Sequence, residues 1–361
     1  MKFILTSSPH ILTPENTRRV MYLTLLSLLP PVAAAVYFFG FYPLILVAVS
    51  AVTCVLTELI FLICRRKDPR ASLDGSALIT GVLLALTLPP SFPWWAAIIG
   101  AAFAIAIGKQ AFGGLGYNIF NPALLGRAFL MAAFPVQSTT WSKPITLAPD
   151  AFTGATPLAL AKFSGKLTPH LSLFLGNTAG SIGETSTLLI IIGGLFLIIL
   201  RYVDWRLPLS YLATVAVFGG IFWLINPTRF PQDPLFHLMS GGLMLGAFYM
   251  ITDMVTSPVT KLGRVIFGAI AGILVVLIRL FGGLPEGVMY SILLANAIRP
   301  WIDRLTMPRV FGVFKKPGPP GKSEKSASNP VTKTSGNPVV SPSDSPSDRA
   351  FLRGLKKEAS S

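Results

Sequence analysis

The sequence predicts an all-α polytopic membrane protein of about ten transmembrane helices, arranged as two inverted five-helix repeats with broken helices. Three observations lead there: charge is scarce, apolar runs are long and unbroken, and basic residues collect in alternate connections. Of 361 residues, 52% are hydrophobic and 12% charged, where a soluble domain carries about a quarter charged. Phe41 to Cys64 holds Glu58 as its only charge, and Leu188 to Leu200 and Val265 to Leu280 are similar runs. A crossing helix needs about 20 such residues. Barrel strands would alternate, so the runs read as helices, whose backbone satisfies itself in lipid.

Taken in chain order, residues 1–19 form a cytoplasmic N-terminal segment. Pro9, Pro14 and Glu15 stand where a signal peptide would have its apolar core, so the first span is expected to remain in the mature protein. The first membrane repeat, 20–135, holds segments 20–40, 42–64, 75–90, 94–112 and 119–135. The third ends at Pro89-Pro90 and the fifth opens at Asn121-Pro122, the marks of broken helices. A loop over 136–185 separates it from the second repeat, 186–305, with segments 186–203, 207–225, 238–256, 263–282 and 285–303. The remaining 306–361 is a basic tail rich in Pro, Ser, Lys and Gly, read as disordered and cytoplasmic.

Charge placement supports that count. Arg18 and Arg19, then Arg65, Arg66, Lys67 and Arg70, then Lys109, Arg201, Arg206, Lys261, Arg264, Arg304 and Arg309 fall on one side if the passes number ten. Arg229 and Arg279 are the exceptions. The positive-inside rule makes this side cytoplasmic, so both termini lie inside and the 136–185 loop outside. Lys109 and Arg264 read as cytoplasmic anchors. The net charge of +15 therefore signals orientation and contact with membrane lipid, and no nucleic-acid partner.

An internal repeat supports the two halves. Thr87-Leu88-Pro89 recurs as Thr256-Ser257-Pro258 and Phe112-Gly113-Gly114-Leu115 as Phe281-Gly282-Gly283-Leu284, at one shared offset. An offset of five spans inverts the second copy. Gly113, Gly114, Gly116, Asn118 and Asn121 form a Gly/Asn-rich re-entry, with Gly282, Gly283, Gly287 and Asn296 as counterpart. Close helix packing and the wall of a second cofactor site are the two readings. Cys54 and Cys64 share one segment, cannot pair, and read as small buried apolar residues. His10, His170 and His237 show no metal spacing.

The loop contains Asp150-Ala151-Phe152-Thr153-Gly154-Ala155-Thr156-Pro157. An ordinary turn is the bland reading: Asp150 a cap, Thr-Gly-Ala-Thr a bend before Pro157. The segment also matches the flavinylation motif Asp-x-x-[Ser/Thr]-Gly-Ala-Thr without departure. With GKQAFGGLGYNIFNPALLGRAF (108–129), TDMVTSPVTKLGR (252–264) and LLANAIRPWIDR (293–304), residues from about 18 to 310 resemble the D subunit of the Rnf electron-transport complex. More distantly they are similar to the B subunit of the sodium-pumping NADH:quinone reductase. The tail lies outside the resemblance.

The resemblance implies that Thr156 carries FMN as a phosphoester, attached by a separate magnesium-dependent flavin transferase that uses FAD. Asp150, Thr153, Gly154 and Ala155 complete the motif, with Thr153 the other hydroxyl in reach. A threonine hydroxyl is a weak nucleophile until a base and a positioned acceptor activate it, and Gly154 removes a steric block to the transferase. The resemblance further implies a non-covalent flavin, riboflavin, in the membrane part of the complex, tied to no particular residues. Partners would be the other membrane and peripheral subunits of an Rnf-type complex that links ferredoxin and NAD and moves sodium ions or protons. Glu58, Arg127 and Asp253 are polar groups inside predicted spans; Glu58 and Asp253 are the candidates for ion coupling, with charge pairing between helices as the competing reading. A small-solute channel or transporter uses the same inverted-repeat architecture, and an assembly scaffold is a third possibility.

Overall fold

The computed structural model describes residues 16–144 and 154–308. Asp150 and Thr153 fall outside the described residues, as do 1–15 and the tail from 309. The described residues are all helices and connecting turns, with no strand among them.

Four helices are long and apolar enough to cross a membrane: α1 (Thr17–Phe39), α2 (Tyr42–Cys64), α10 (Arg206–Ile225) and α13 (Lys261–Phe281). At about 1.5 Å per residue, 23 residues of α2 reach about 34 Å, enough for the hydrocarbon core. Local chemistry fixes their ends. Asn16 caps α1 by accepting from the Arg18 N–H, and Thr260 caps α13 by accepting from Gly263. On α2 the outward face is Leu44, Ile45, Val52, Leu56, Ile60 and Ile63, while Ser50, Cys54 and Glu58 face inward. An exposed face more apolar than the buried one is what lipid, and not water, selects.

The other apolar helices are shorter: α3 (Ser76–Thr87), α4 (Trp94–Ile105, continued by a π-helical turn over Ala106–Gln110), α5 (Pro122–Ala133) and α9 (Thr187–Ile199). Every residue of α3 from Thr80 to Thr87 is buried, so protein and not lipid surrounds it. Its C-terminal carbonyls are not orphaned: those of Leu88 and Leu86 accept from the N–H groups of Ile182 and Gly183 at 3.0 and 2.7 Å. Small helices α6 (Pro135–Thr139), α7 (Pro157–Phe163) and α8 (His170–Leu175) populate the connection that leads to α9.

One expected span differs. Residues 238–256 do not form one helix but α11 (Pro234–Met239), α12 (Leu243–Leu245) and a π-helical turn over Gly246–Met250. Gly241 at φ 67 and Gly242 interrupt the ladder. The expected fifth span does open at Asn121-Pro122. The Asn121 side chain accepts from Ala123 and Leu124 N–H and donates to the Met250 carbonyl at 3.1 Å, so two broken helices meet at one side chain. Chain breaks of this kind are tolerated at membrane depth only when their polar groups find partners. The last helix, α14 (Val288–Thr306), starts a few residues later than expected and leaves Pro285 and Glu286 in the turn before it.

Close packing follows the small residues. A Cβ on Gly81 would meet the Ala51 Cα at 2.5 Å, so α3 lies directly on α2; Gly268 and Gly272 bring α13 onto α10 in the same way. The repeated Phe-Gly-Gly-Leu pieces do not share a conformation. Gly113 and Gly114 have φ 126 and 106, whereas Gly282 has φ −71. Of the two cysteines, Cys54 is buried as expected, but Cys64, at the end of α2, is exposed.

Candidate functional site

The structure gathers polar groups at two places. At the first, Thr156 is the N-cap of α7: its Oγ1 accepts from the Ala159 N–H at 3.2 Å, and the residue is 9% exposed. Gly154 donates its N–H to the Trp141 carbonyl at 3.0 Å, and a Cβ there would lie 2.6 Å from Lys143 Cγ. Gly154 thus lets the Lys143 chain lie across the motif. Ala155 points outward.

α7 is held to the bundle by two kinds of contact. Leu158 and Ala161 pack with Leu173 and Phe236. Lys162 Nζ donates to the carbonyls of Arg279, Gly282 and Leu284 at 2.8, 2.5 and 3.2 Å, closing the C-terminal end of α13 with a cation. Thr156 lines a pocket with Trp141, Thr178, Gly180, Glu184, Gly241, Pro285 and Glu286. Glu286 is bound by Arg127 of α5, Nη2 to Oε2 at 2.5 Å and Nη1 to Oε1 at 3.5 Å. Arg127 is therefore in an ion pair, one of the two readings its place inside a span allowed.

Sequence reasoning missed Glu184 and Glu286. The sequence signal each carries is that of an isolated acid, Glu184 at the end of the 136–185 loop and Glu286 at the start of the span expected over 285–303. Arg279, the exception to the basic-side pattern, is also explained. It is buried to 2% and donates to the His237 and Ser240 carbonyls at 2.6 and 2.8 Å, which the break between α11 and α12 leaves open.

At the second place, Glu58 and Lys109 form a buried ion pair at 2.6 Å. Gln110 Nε2 donates to the same Glu58 oxygen at 2.9 Å, Lys109 donates to Ser76 Oγ at 2.6 Å, and Arg65 donates to the Gln110 carbonyl. Lys109 is 2% exposed, so its reading as a surface anchor is corrected. The π-helical turn adds a residue to the last turn of α4 and rotates Lys109 and Gln110 inward. Arg264, in contrast, is part-exposed and pairs with Asp204 at 2.6 Å. Asp253 lies in the turn after the 246–250 segment, accepting from Val255 N–H and Thr256 Oγ1 at 3.3 and 3.1 Å. Lys109, Asn118, Asn121, Tyr249 and Asp253 border one cavity, and Lys109 joins it to Glu58.

The residues around Thr156 fit a phosphoester. Its oxygen keeps the Ala159 N–H bond whether it carries hydrogen or phosphorus, so esterification costs the local fold no donor. Lys143 and Arg127 supply positive charge nearby, and Trp141 offers an aromatic wall.

A profile of the NQR2, RnfD, RnfE family matches residues 4–312. The chain is 45% identical over 322 residues to the D subunit of the proton-translocating ferredoxin:NAD(+) oxidoreductase complex of Clostridium ljungdahlii, covering 86% of this chain and 96% of that protein. It is 45% identical over 320 residues to the D subunit of the Na(+)-translocating ferredoxin:NAD(+) oxidoreductase complex of Acetobacterium woodii, covering 87% and 97%. It is 40% identical over 349 residues to the D subunit of the ion-translocating oxidoreductase complex of Salmonella heidelberg, covering 86% and 99%. With its helical membrane architecture, and with similarity that runs nearly end to end in the relatives, the chain belongs to the NQR2, RnfD, RnfE family.

Proposed function

We propose that this chain is the flavin-carrying D subunit of an ion-translocating ferredoxin:NAD+ oxidoreductase complex, with FMN esterified to Thr156. The observation that carries the reading is the placement of Thr156. A matching motif ends on a helix-capping hydroxyl, docked on the membrane bundle beside a charged pocket. FMN, when attached, supplies one- and two-electron chemistry. The chain's own part is to fix its distance, orient it through the Thr156 cap, and surround it with Trp141, Lys143 and the Arg127–Glu286 pair. Thr156 lies too deep for a second enzyme's active site, so the flavin transferase acts on the 150–156 segment before α7 docks.

In this reading the chain makes ten passes as two inverted five-helix units, with the Thr156 loop periplasmic and the termini cytoplasmic in a bacterial inner membrane. Matching neighbours support it. α2 packs on α3 and α4 and α4 on α5, while α10 packs on α11 and α13 and α13 on α14. The basic groups Arg65, Lys109 and Arg264 border the opposite end of the bundle from Thr156, on the cytoplasmic side under the positive-inside rule. The cavity bordered by Asn118, Asn121 and Asp253 is the place for the non-covalent riboflavin, since its amide and carboxyl groups suit a flavin's polar edge. Glu58 and Asp253 remain the ion-coupling candidates. The two ferredoxin-linked relatives are named for different ions, so the choice of ion rests on details finer than the shared fold.

The test is to express the chain with a flavin transferase and examine it denatured. The expected result is in-gel flavin fluorescence and an added FMN mass on the peptide holding Thr156, both lost in Thr156→Val. An unmodified peptide from a working transferase strain, in a chain that still moves a small solute, overturns the redox reading in favour of a transporter.

A further inference from the structure

Glu184 and Glu286 come from connections far apart in sequence, yet their side chains converge. The point where a Cβ on Gly242 would sit is 2.9 Å from Glu286 Oε1 and 3.1 Å from Glu184 Oε1. The two carboxyl groups are close enough for each charge to act on the other. Only glycine at 242 leaves that space open.

The cations nearby are not shared equally. Arg127 clasps Glu286 through both Nη atoms. Arg279 of α13 gives its Nη atoms to the His237 and Ser240 carbonyls, and His237 of α11 senses Arg279 rather than the acids. Glu184 accepts one long bond, 3.4 Å, from the Ser181 N–H to Oε2, and its Oε1 is sealed from solvent without any partner among the described residues. Two carboxylates this close cannot both ionise cheaply when one guanidinium is committed to one of them. Burial first and the Glu286 charge second push Glu184 up to about 8, while Arg127, against the upward push of burial, holds Glu286 below the ordinary range.

Charge balance points the same way. With Glu286 ionised and Glu184 neutral, the two arginines leave one net positive charge beside the pocket of Thr156. A phosphodiester on Thr156 carries one negative charge and would balance it.

We propose that Glu184 is a proton-binding residue of the Thr156 pocket, taking a proton from the outer aqueous side when negative charge enters the pocket and returning it when that charge leaves. No bond other than O–H forms or breaks, and Glu286 keeps its charge throughout through Arg127. Glu184 is only part-buried as a residue and lines the pocket, which gives the proton its route. The source of the added charge rests on the flavin reading above.

The test is infrared difference spectroscopy of the purified complex, reduced minus oxidised, recorded above about pH 8, where Glu184 starts ionised. The wild type is expected to gain a protonated-carboxyl C=O band on reduction, and Glu184→Gln to lose it while its flavin fluorescence persists. The flavin's midpoint potential is expected to fall more steeply with pH in the wild type than in Glu184→Gln. Identical bands and slopes in the two proteins overturn the proposal. The Thr156→Val chain separates this from failure of flavin attachment, since it carries no flavin and still holds the pair. There a carboxyl band that titrates above the ordinary glutamate range and vanishes on adding Glu184→Gln supports the proton site; its absence overturns it. Glu184→Asp serves as a second variant, with the band expected to shift rather than vanish.

Discussion

Replacing Lys162 with methionine isolates what holds α7, and with it Thr156, to the membrane bundle. Methionine keeps the aliphatic stem and removes the ammonium, which donates to three carbonyls at the end of α13. A hydrogen bond to a charged group contributes about 1.5–3 kcal/mol when fully buried. Lys162 is only part-buried, so water replaces some of that, and its own desolvation lowers its proton affinity. The net loss is therefore about 1–3 kcal/mol, or a rise of roughly 5- to 140-fold in local opening. The apolar contacts of Leu158 and Ala161 with Leu173 and Phe236 remain, so the bundle itself should not unfold. Limited proteolysis reads this opening directly. Phe163 is exposed, but chymotrypsin needs the helix around it unwound, so the cutting rate follows the open population when reclosing is fast. Cleavage at Phe163 should accelerate by the same factor in Lys162→Met and stay unchanged in Lys166→Met, whose side chain is exposed. Equal cutting rates in Lys162→Met and wild type would show that the three carbonyls do not anchor α7.

Other perturbations have equally definite outcomes. Lys109→Met should destabilise the chain by about 3–5 kcal/mol by stranding the Glu58 carboxylate, and Lys109→Met with Glu58→Gln should recover most of it, read as melting temperatures in detergent. If the double variant also keeps full ion transport, Glu58 is a structural partner and not a coupling group. Asn121→Ala removes the α5 cap and the link to Met250 and should cost about 1–2 kcal/mol, with Asn121→Asp restoring the cap but not the link. Stability of the wild type should fall as pH rises from about 4.5 through about 8, because the folded chain binds a proton at Glu184 that the unfolded chain has already released. Glu184→Gln should flatten that slope, and an unchanged slope would assign the effect elsewhere.

What the sequence shows is set by how local the cause is. Apolar length marked α2 to the residue, and Asn121-Pro122 marked the start of α5, because capping and proline geometry act within one turn. The helix expected over 238–256 was not legible as a break. Its apolar content fits a span, and the donors that make the interruption tolerable come from afar: Arg279, some forty positions on, and Thr187, some fifty positions back. The inward turn of Lys109 was hidden for a related reason. A π-helical turn shifts the helical phase by one residue, and no residue type in Ala106–Gln110 demands it. The Phe-Gly-Gly-Leu repeat shows the converse: identical letters took different backbones because their surroundings differ. At the candidate site the motif named Thr156, but the acids facing it arrive through Arg127–Glu286, a pairing across 159 positions that no local pattern encodes.

Three cations sit where helix geometry is disturbed. Arg279 serves the carbonyls between α11 and α12, Lys162 those at the end of α13, and Lys109 sits where the π-helical turn disturbs α4. Arg279 and Lys162 satisfy carbonyls that an interruption or helix end frees, which a cation does better than a neutral donor, while Lys109 reaches Ser76 Oγ and Glu58. Importing a cation into the bundle then requires an acid: Glu58 for Lys109, and Glu184 with Glu286 for the arginines near Thr156. The first balance is one against one and closed. The second sets two acids, facing each other across Gly242, against two arginines, and Arg127 clasps only Glu286, so Glu184 is the one whose proton can change. Helix breaks thus create the need for charge, and the acid left unclasped at one of them gives the Thr156 pocket a group free to titrate.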